Sequence, residues 1–419
     1  MRIAMLSFHT CPLATLGGKD TGGMNVYVRD LTRELGRRSV GVDVFTRSQD
    51  EHVPHVLHDL GFGNRIVHIQ AGPETPMEKT ELTEHLPDFV EGVLEFARCK
   101  NLQYNIIHSH YWLSGLAALE LQKTWQAPII QMFHTLAAMK NRVARAPEEG
   151  ASKLRLDSEQ RLLAEADRII AATQAELAQL QWLYHADTSR ITVVPPGVDI
   201  SRFYPIPKDE ALAFIGSPAK QCMLLYVGRV EPLKGIDTLM EAMAIMKRRG
   251  FLDLYPLCLA VIGGDPEASP QQISAEMERL QALRDSLGIG DVIMFLGQQD
   301  QDTLQYFYSA SEIVVVPSHY ESFGMVALEA MACGKPVVAS ETGGLAFLVK
   351  DGETGFHVPA ANPNALADRL MELMQDDELR SKLGKQAAEY AKGFAWPFVA
   401  DQILETYAAV LAAIENELA

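Results

Sequence analysis

The chain has 419 residues and a formal net charge of −17 at pH 7, with 47% hydrophobic and 22% charged residues. This length exceeds one ordinary hydrophobic core and predicts two domains of roughly 200 residues each. The negative charge argues against a nucleic-acid partner, because phosphate backbones are bound by clustered lysine and arginine. It does not exclude a small anionic substrate, since a cleft can be locally positive on an acidic protein.

The five cysteines are scattered and show no CxxC spacing. This pattern indicates reduced thiols rather than structural zinc or a disulfide framework. Residues 1–10 contain only a short apolar run without a cleavage site, so we expect a first strand there and no signal peptide. No stretch of about 18 apolar residues is uninterrupted, so no transmembrane helix is expected. We predict a cytoplasmic protein, and the sequence is compatible with a homodimer.

Short apolar runs alternate with longer amphipathic stretches along the whole chain. The predicted strands of the first half are Arg2–Ser7, Gly41–Thr46, Arg65–Gln70, Asn105–Ser109, Pro128–Phe133, Arg168–Ala172 and Arg190–Val194. The predicted helices between them are Met24–Leu35, Leu86–Cys99 and Trp112–Trp125. Strands that alternate with helices predict βαβ units and parallel sheets covered on both faces.

The same alternation continues in the second half. Its predicted strands are Cys222–Gly228, Leu257–Gly263, Val292–Leu296, Ile313–Pro317, Pro336–Ser340 and Gly355–Val358. Its predicted helices are Ile236–Arg249, Gln271–Leu287, Thr303–Ser309, Met325–Cys333, Pro363–Met374 and Asp377–Phe394. The break between the halves falls near Pro195-Pro196-Gly197, which cannot continue a strand or a helix. We therefore predict two doubly wound α/β domains, with ligands bound in the cleft that they face.

The segment from His319 to Gly334 carries the most informative motif. It follows an apolar run that ends at Pro317, and it opens a helix near Gly324. A glycine-bearing loop that leads into a helix presents unpaired N–H groups and the positive end of the helix dipole, which suit a phosphate.

Two carboxylates belong to this segment. Glu321 precedes the helix, and Glu329 lies within its apolar sequence. An acid inside so apolar a helix is costly unless it faces a polar ligand or solvent. Surface or capping roles are the alternative for both residues. Combined with the glycine loop and the preceding strand, the pair favours ligand binding.

A second candidate is the loop from Gly228 to Gly235, which follows the first strand of the second half. It contains two cations, Arg229 and Lys234. Two fixed positive groups at the end of a strand can bind a diphosphate and stabilise the charge that it gains as a leaving group. The alternative is a pair of solvated loop residues.

In the first half, Gly22-Gly23 lies between the first strand and the first helix, where it allows close approach of a ligand to the backbone. It is not a GxGxxG motif, so hydride transfer has no direct support. His134 follows another strand and could bind a sugar hydroxyl, although a lone histidine is often structural. His108 and His110 end the preceding strand without a carboxylate partner, so we expect no zinc site.

Several cations of the first half precede or follow His134. We predict that the segment after His134, which contains glycine and proline, is a mobile loop. A local group of cations on so acidic a protein favours an anionic acceptor, and the alternative is a solvated basic loop. The residues concerned are Lys79, Lys140, Arg142, Arg145, Lys153 and Arg155.

Taken together, these segments resemble the retaining GT-B glycosyltransferases of glycosyltransferase family 4. The likeness spans essentially the whole chain, and its most specific parts are Glu321…Glu329 with Ser322-Phe323-Gly324 and the pair Arg229…Lys234. It implies two Rossmann-like domains, here residues 1–196 and 197–395. It also implies that a C-terminal helix, residues 396–419, crosses back to the first domain, and that no metal cofactor is needed.

The resemblance also assigns roles on the donor side. Arg229 and Lys234 would bind the diphosphate of a UDP-sugar. The backbone amides that would assist them belong to Gly23, Phe323, Gly324, Met325 and Val326. Glu329 would bind the ribose hydroxyls, Glu321 the hydroxyls of the donor sugar and His134 its 6-hydroxyl. Attack from the front face is the mechanism usually ascribed to such enzymes, which leaves positioning and charge stabilisation to the protein.

On the acceptor side, the sequence is similar to the D-inositol-3-phosphate glycosyltransferases of this family. Residues 20–28, 108–115 and 134–141 carry that similarity. It implies that Asn25 binds the inositol ring. It further implies that the acceptor phosphate is bound by Lys79, Tyr111, Thr135 and Arg155, whose side chains form a good phosphate cup.

Other functions stay open at this point. The Asp-Thr-Gly-Gly form of the first loop is also found in sucrose-phosphate synthases, which use fructose 6-phosphate, and another acceptor, including a lipid, is a further alternative. A non-catalytic nucleotide-sugar-binding protein would have little reason to keep both Arg229 and Lys234. A sugar epimerase would need an acid–base set that these motifs do not offer.

Overall fold

A computed structural model describes residues 1–14, 21–144, 150–218, 222–266, 268 and 273–418. Asp20 and Arg145, both considered above, lie outside this part. The described chain divides into two compact units. The first contains residues 1–14, 23–196 and 396–418, and the second contains Thr21, Gly22 and residues 197–395.

The described part of the first unit is built on an eight-stranded sheet with the order β3-β4-β2-β1-β5-β6-β7-β8. Its strands are β1 Arg2–Leu6, β2 Gly41–Arg47, β3 Val56–Leu57, β4 Arg65–Ile69, β5 Ile106–His110, β6 Ile129–Met132, β7 Arg168–Ala171 and β8 Ile191–Val193. All pairs are parallel except that of β3 with β4. The order reverses between β1 and β5, and the carboxyl ends of strands at such a switch point are where ligands bind.

The helices of the first unit cover its sheet. They are α1 Gly23–Arg37, α2 Leu86–Cys99, α3 Tyr111–Trp125, α4 Ala137–Val143, α5 Lys153–Glu165 and α6 Gln174–Tyr184. The prediction of a mobile loop after His134 was wrong where α4 and α5 form. Ser152 caps the start of α5 by accepting a hydrogen bond from the Arg155 backbone N–H, and the helix buries Leu162 and Leu163 in the core.

The described part of the second unit contains a parallel six-stranded sheet with the order β11-β10-β9-β12-β13-β14. Its strands are β9 Cys222–Val227, β10 Leu257–Ile262, β11 Ile293–Phe295, β12 Ile313–Val316, β13 Val337–Ser340 and β14 Gly355–Val358. Its helices are α7 Lys208–Phe214, α8 Ile236–Arg248, α9 Phe251–Leu254, α10 Ala275–Ser286, α11 Gln301–Ala310, α12 Met325–Ala332, α13 Leu345–Leu348, α14 Pro363–Gln375 and α15 Asp377–Ala391. This is the doubly wound order, with its switch point between β9 and β12. The predicted α/β class with two such sheets is confirmed.

The last helix, α16 (Trp396–Leu418), belongs to the first unit. Its segment Trp396–Asn416 is long and apolar enough to cross a membrane, as judged by length and composition alone. The same helix buries Val399, Ile403 and Tyr407 within the first unit. A core helix meets the same criteria, so this finding is weak evidence for a membrane span.

Candidate functional site

In the second unit, the two predicted ligand loops follow the two strands at its switch point. One loop leaves β9 and contains Arg229 and Lys234, while the other leaves β12 and contains Glu321. The His319 N–H donates a hydrogen bond of 2.8 Å to the Leu233 carbonyl oxygen, which joins the loops. The topology therefore brings together the two motifs that the sequence analysis selected.

Each cation of this site already has a carboxylate partner. Lys234 Nζ lies 2.6 Å from Glu321 Oε2, and both side chains are about four-fifths buried. Arg229 Nη1 lies 2.8 Å from Glu231 Oε1, and the Tyr226 hydroxyl donates to the Arg229 carbonyl oxygen over 3.0 Å. The carboxylates therefore hold both cations in place and neutralise their charge before an anionic ligand binds.

The loop after β12 enters α12 through Gly324, whose φ of 104° lies outside the range that most residues adopt. Phe323, Met325 and Val326 adjoin this turn, so their amides lie at the positive end of the helix. Further along α12, Glu329 is only 6% exposed. Its Oε2 accepts a hydrogen bond of 2.8 Å from the buried Tyr308 hydroxyl on α11, which orients the carboxylate.

Gly235 brings the two loops close together, and its substitution should destabilise the second unit. It has a φ of +66°, and a Cβ there would lie 2.1 Å from the Pro317 carbonyl oxygen. We expect Gly235→Ala to lower the free energy of unfolding by about 2–4 kcal/mol, from backbone strain and this clash. Urea unfolding measures the change. Gly216→Ala is the matched control, because its φ is +68° with nothing within 4 Å, and it should lose about 1 kcal/mol. Equal losses would show that the clash does not matter.

In the first unit, the predicted acceptor residues lie on segments that follow β1, β4, β5 and β6. Asn25, on α1, donates from Nδ2 to Thr10 Oγ1 and to the Cys11 carbonyl oxygen, both over 2.8 Å. Both acceptors follow β1. Gly23 is the first residue of α1 and is exposed. The predicted donor residues are therefore divided, with Gly23 and His134 in the first unit and the rest in the second.

The four residues predicted to bind the acceptor phosphate form one cluster. Arg155 Nη2 donates to Thr135 Oγ1 over 3.0 Å and to its carbonyl oxygen over 2.7 Å. The Arg155 guanidinium carbon lies 4.8 Å from the centre of the Tyr111 ring, and Lys79 Nζ lies 5.5 Å from it. Two cations thus meet on one aromatic ring beside a hydroxyl. We name this group the phosphate cluster: Lys79, Tyr111, Thr135 and Arg155.

Arg155 is held from behind by a buried carboxylate that the sequence analysis missed. Its Nε donates to Glu159 Oε1 over 2.8 Å, and Glu159 is fully buried. Glu159 Oε2 accepts from the Ala137 N–H over 2.9 Å and from the Tyr184 hydroxyl. The i,i+4 spacing of an arginine and a glutamate was the available signal, but it was hidden because the segment was predicted to be a loop. By contrast, Lys153 and Arg142 are exposed.

Three histidines lie beside this cluster; His108 and His110 are buried, and His134 is half-buried. His134 follows β6 with a φ of +63°, and its Nε2 lies 2.9 Å from Nδ1 of His110. His108 Nδ1 lies 2.7 Å from the Tyr407 hydroxyl of α16. Burial lowers the pKa of His108 and of His134 to about 3, and it also lowers that of His110. The three rings are therefore uncharged near neutral pH.

Because the pKa values of these histidines are lowered, we expect the protein to lose stability in mild acid. Below their ordinary pKa of 6.5, the unfolded chain binds protons that the folded state does not, so stability falls as the pH falls. Glu176 opposes this loss of stability between pH 4.5 and about pH 7, because burial raises its pKa to about 7 and the folded state binds a proton that the unfolded chain does not. The net expectation is a loss of roughly 3 kcal/mol per pH unit between about pH 6 and 5. Urea unfolding across this range tests it, and His108→Phe should reduce the slope. A flat profile would contradict the assignment.

The described residues contain no group of three or more His, Cys, Asp or Glu that could hold a metal ion. Asp300 and Asp302 are two neighbouring acidic residues at the start of α11. Asp300 occupies the N-cap position without a side-chain cap bond, and Asp302 lies 3.2 Å from Arg202.

Comparisons with known sequences cover both units. The family model Glycosyltransferase Family 4 matches residues 21–202, and Glycosyl transferases group 1 matches residues 207–390. The D-inositol 3-phosphate glycosyltransferase of Actinosynnema mirum is 40% identical over 97% of this chain and 96% of its own length. The protein of that name from Corynebacterium diphtheriae is 38% identical over 97% and 94%.

Solved structures of glycosyltransferases are also similar to this chain over nearly its whole length. The sucrose-phosphate synthase of Thermosynechococcus elongatus has a TM-score of 0.89 and 36% identity, covering 98% of this chain and 99% of its own. Anabaena HepE in complex with UDP and glucose has a TM-score of 0.75 at 20% identity, over 98% and 100%, and supports the fold alone. By its motifs, its two doubly wound sheets and these full-length relatives, the chain belongs to glycosyltransferase family 4 and is a glycosyltransferase of the GT-B fold.

Proposed function

We propose that the protein is a retaining, metal-independent and cytoplasmic glycosyltransferase that uses a UDP-sugar. It moves a glucosyl or N-acetylglucosaminyl group to a small phosphorylated acceptor, and inositol phosphate is the first candidate. The observation that carries this proposal is the phosphate cluster, in which two cations and a hydroxyl converge at the carboxyl end of the first sheet. The full-length relatives named D-inositol 3-phosphate glycosyltransferase support the choice of inositol phosphate.

On the donor side, Arg229 and Lys234 supply the positive charge that a divalent cation supplies in other transferases. The amides at the start of α12 bind the diphosphate, whose charge suits the helix N-terminus. Glu329, fixed by Tyr308, accepts hydrogen bonds from the ribose hydroxyls. Release of the Lys234–Glu321 contact then lets Lys234 bind phosphate and Glu321 bind sugar hydroxyls.

In the chemical step, the bond between the anomeric carbon and the diphosphate oxygen breaks. The acceptor hydroxyl oxygen attacks from the same face, and its proton passes to the departing phosphate oxygen. The negative charge that develops on the diphosphate lies beside Arg229 and Lys234, which lower the energy of the transition state. Glu321 is paired with Lys234 in the free protein, and its role in this proposal is binding rather than covalent attack.

Fructose 6-phosphate is the second candidate acceptor. The sucrose-phosphate synthase structure, at 36% identity and a TM-score of 0.89, favours it. The phosphate cluster suits either acceptor, because both present a phosphate monoester on a polyhydroxylated ring or chain. The donor chemistry is the same in both cases.

The decisive experiment is product formation from UDP-GlcNAc and from UDP-glucose, each with inositol 3-phosphate and with fructose 6-phosphate. Running every reaction with and without EDTA tests metal independence. NMR of the product reports whether the anomeric configuration of the donor is retained. We expect transfer to inositol 3-phosphate in the presence of EDTA. Transfer to fructose 6-phosphate alone would replace the acceptor, loss with EDTA would overturn metal independence, and inversion would overturn retention.

A further inference from the structure

The buried His110 and the half-buried His134 form a direct pair across neighbouring strands. His110 is the last residue of β5 and His134 follows β6, and their Nδ1 and Nε2 atoms lie 2.9 Å apart. The Tyr27 ring of α1 packs on both, with centroids 5.5 Å from His110 and 5.3 Å from His134. Trp396 of α16 packs on Tyr27 in turn, at 5.4 Å. Packing from two helices therefore fixes the orientation of both rings.

The proton between these rings has two arrangements. Because both rings are uncharged, each carries one proton, and one of those protons lies between Nδ1 of His110 and Nε2 of His134. If His110 donates it, His134 carries its own proton on Nδ1. If His134 donates it, its Nδ1 is bare and His110 carries its own proton on Nε2. The pair thus decides whether His134 offers a donor or an acceptor at Nδ1.

The surroundings of His110 select the first arrangement. Its Nε2 is buried and has no hydrogen-bond partner among the described residues. Among buried backbone groups, an N–H without a partner is rarer than a carbonyl oxygen without one, and we extend this order to the imidazole nitrogens. His110 Nε2 is therefore the bare nitrogen, and the proton of this ring is on Nδ1, directed at His134.

We propose that His110 is a positioning residue that donates from Nδ1 to His134 and holds His134 in the tautomer with its proton on Nδ1. That nitrogen has no hydrogen-bond partner in the part of the chain that the structure describes, and His134 is only half-buried. The ligand of His134 Nδ1 is then a sugar oxygen that accepts a hydrogen bond. The sugar ligand rests on the proposed function, whereas the tautomer does not.

The tautomer is tested directly by nitrogen-15 NMR of the full chain labelled at histidine, without any substrate. His134→Gln identifies the His134 signals by their loss. We expect a protonated Nδ1 and an unprotonated Nε2 on His134 near neutral pH. The opposite pattern, or a charged ring, would overturn the proposal whatever the enzyme does.

The consequence for the sugar is tested by calorimetric binding of UDP-glucose and of UDP-xylose, which lacks the 6-hydroxyl. His110→Leu removes the donor, whereas His110→Asn keeps an N–H near the position of Nδ1. We expect His110→Leu to weaken UDP-glucose binding about tenfold and His110→Asn to keep most of the affinity. UDP-xylose should bind the unaltered protein and both variants equally. Equal weakening of both ligands, or no weakening by Leu, would overturn the role. If the unaltered protein binds neither UDP-sugar, the proposed donor fails while the NMR result still decides the tautomer.

Discussion

Replacement of Lys234 by alanine should lower kcat for glycosyl transfer about 10³-fold while leaving the fold intact. In the proposed mechanism, the lysine lies beside the position at which the leaving diphosphate gains charge, so its loss would raise the barrier of the chemical step. It contributes little to the core, because its side chain is 21% exposed and its ion pair is with the similarly exposed Glu321. Single-turnover kinetics with saturating UDP-sugar measures the chemical step separately from binding.

Two further variants make this result specific. Lys247→Ala removes a lysine whose Nζ also lies 2.6 Å from a carboxylate, that of Asp291, but outside the proposed site, and it should leave kcat unchanged. The double variant Lys234→Met with Glu321→Gln removes the repulsion that an unpaired Glu321 would exert on the diphosphate. A kcat for Lys234→Ala within a few-fold of the unaltered enzyme would reject a catalytic role for this lysine.

Replacement of Arg155 by methionine should lower kcat/KM for a phosphorylated acceptor by about 10²-fold or more. The guanidinium lies at the centre of the phosphate cluster and is only 7% exposed, so solvent screens its charge weakly. The same acceptor without its phosphate should show a much smaller change. Steady-state assays with inositol 3-phosphate against inositol, and with fructose 6-phosphate against fructose, measure this difference.

The control must allow for the carboxylate behind Arg155. Methionine alone leaves Glu159 buried and unpaired, which by itself costs about 3–5 kcal/mol of stability. The double variant Arg155→Met with Glu159→Gln removes both charges and should fold better while still failing to select the phosphate. Equal losses for acceptors with and without phosphate would show that Arg155 acts through stability alone.

The sequence predicted the loops after β9 and β12 more directly than it predicted the phosphate cluster. Arg229, Lys234 and Glu321 were placed at strand ends by pattern alone, because carboxyl ends of parallel strands share one edge of a sheet. Family resemblance, rather than pattern, supplied Lys79, Tyr111, Thr135 and Arg155 as partners. The predicted mobile loop was wrong where α4 and α5 form, because the helical pattern of α5 was not recognised behind the glycine and proline that precede it.

The sequence by itself determined the alternation of strands and helices, the α/β class and the loops that carry the donor motifs. These features follow from apolar periodicity and from glycine at loop-to-helix junctions, which act within one element of the chain. The tertiary structure alone decided that Tyr184 binds Glu159 behind Arg155, that Lys234 pairs with Glu321, and that His110 meets His134. Those contacts join side chains from different strands and helices, and the order of strands in each sheet brings them together. Local patterns record which residues are buried, but not which distant residue each one meets.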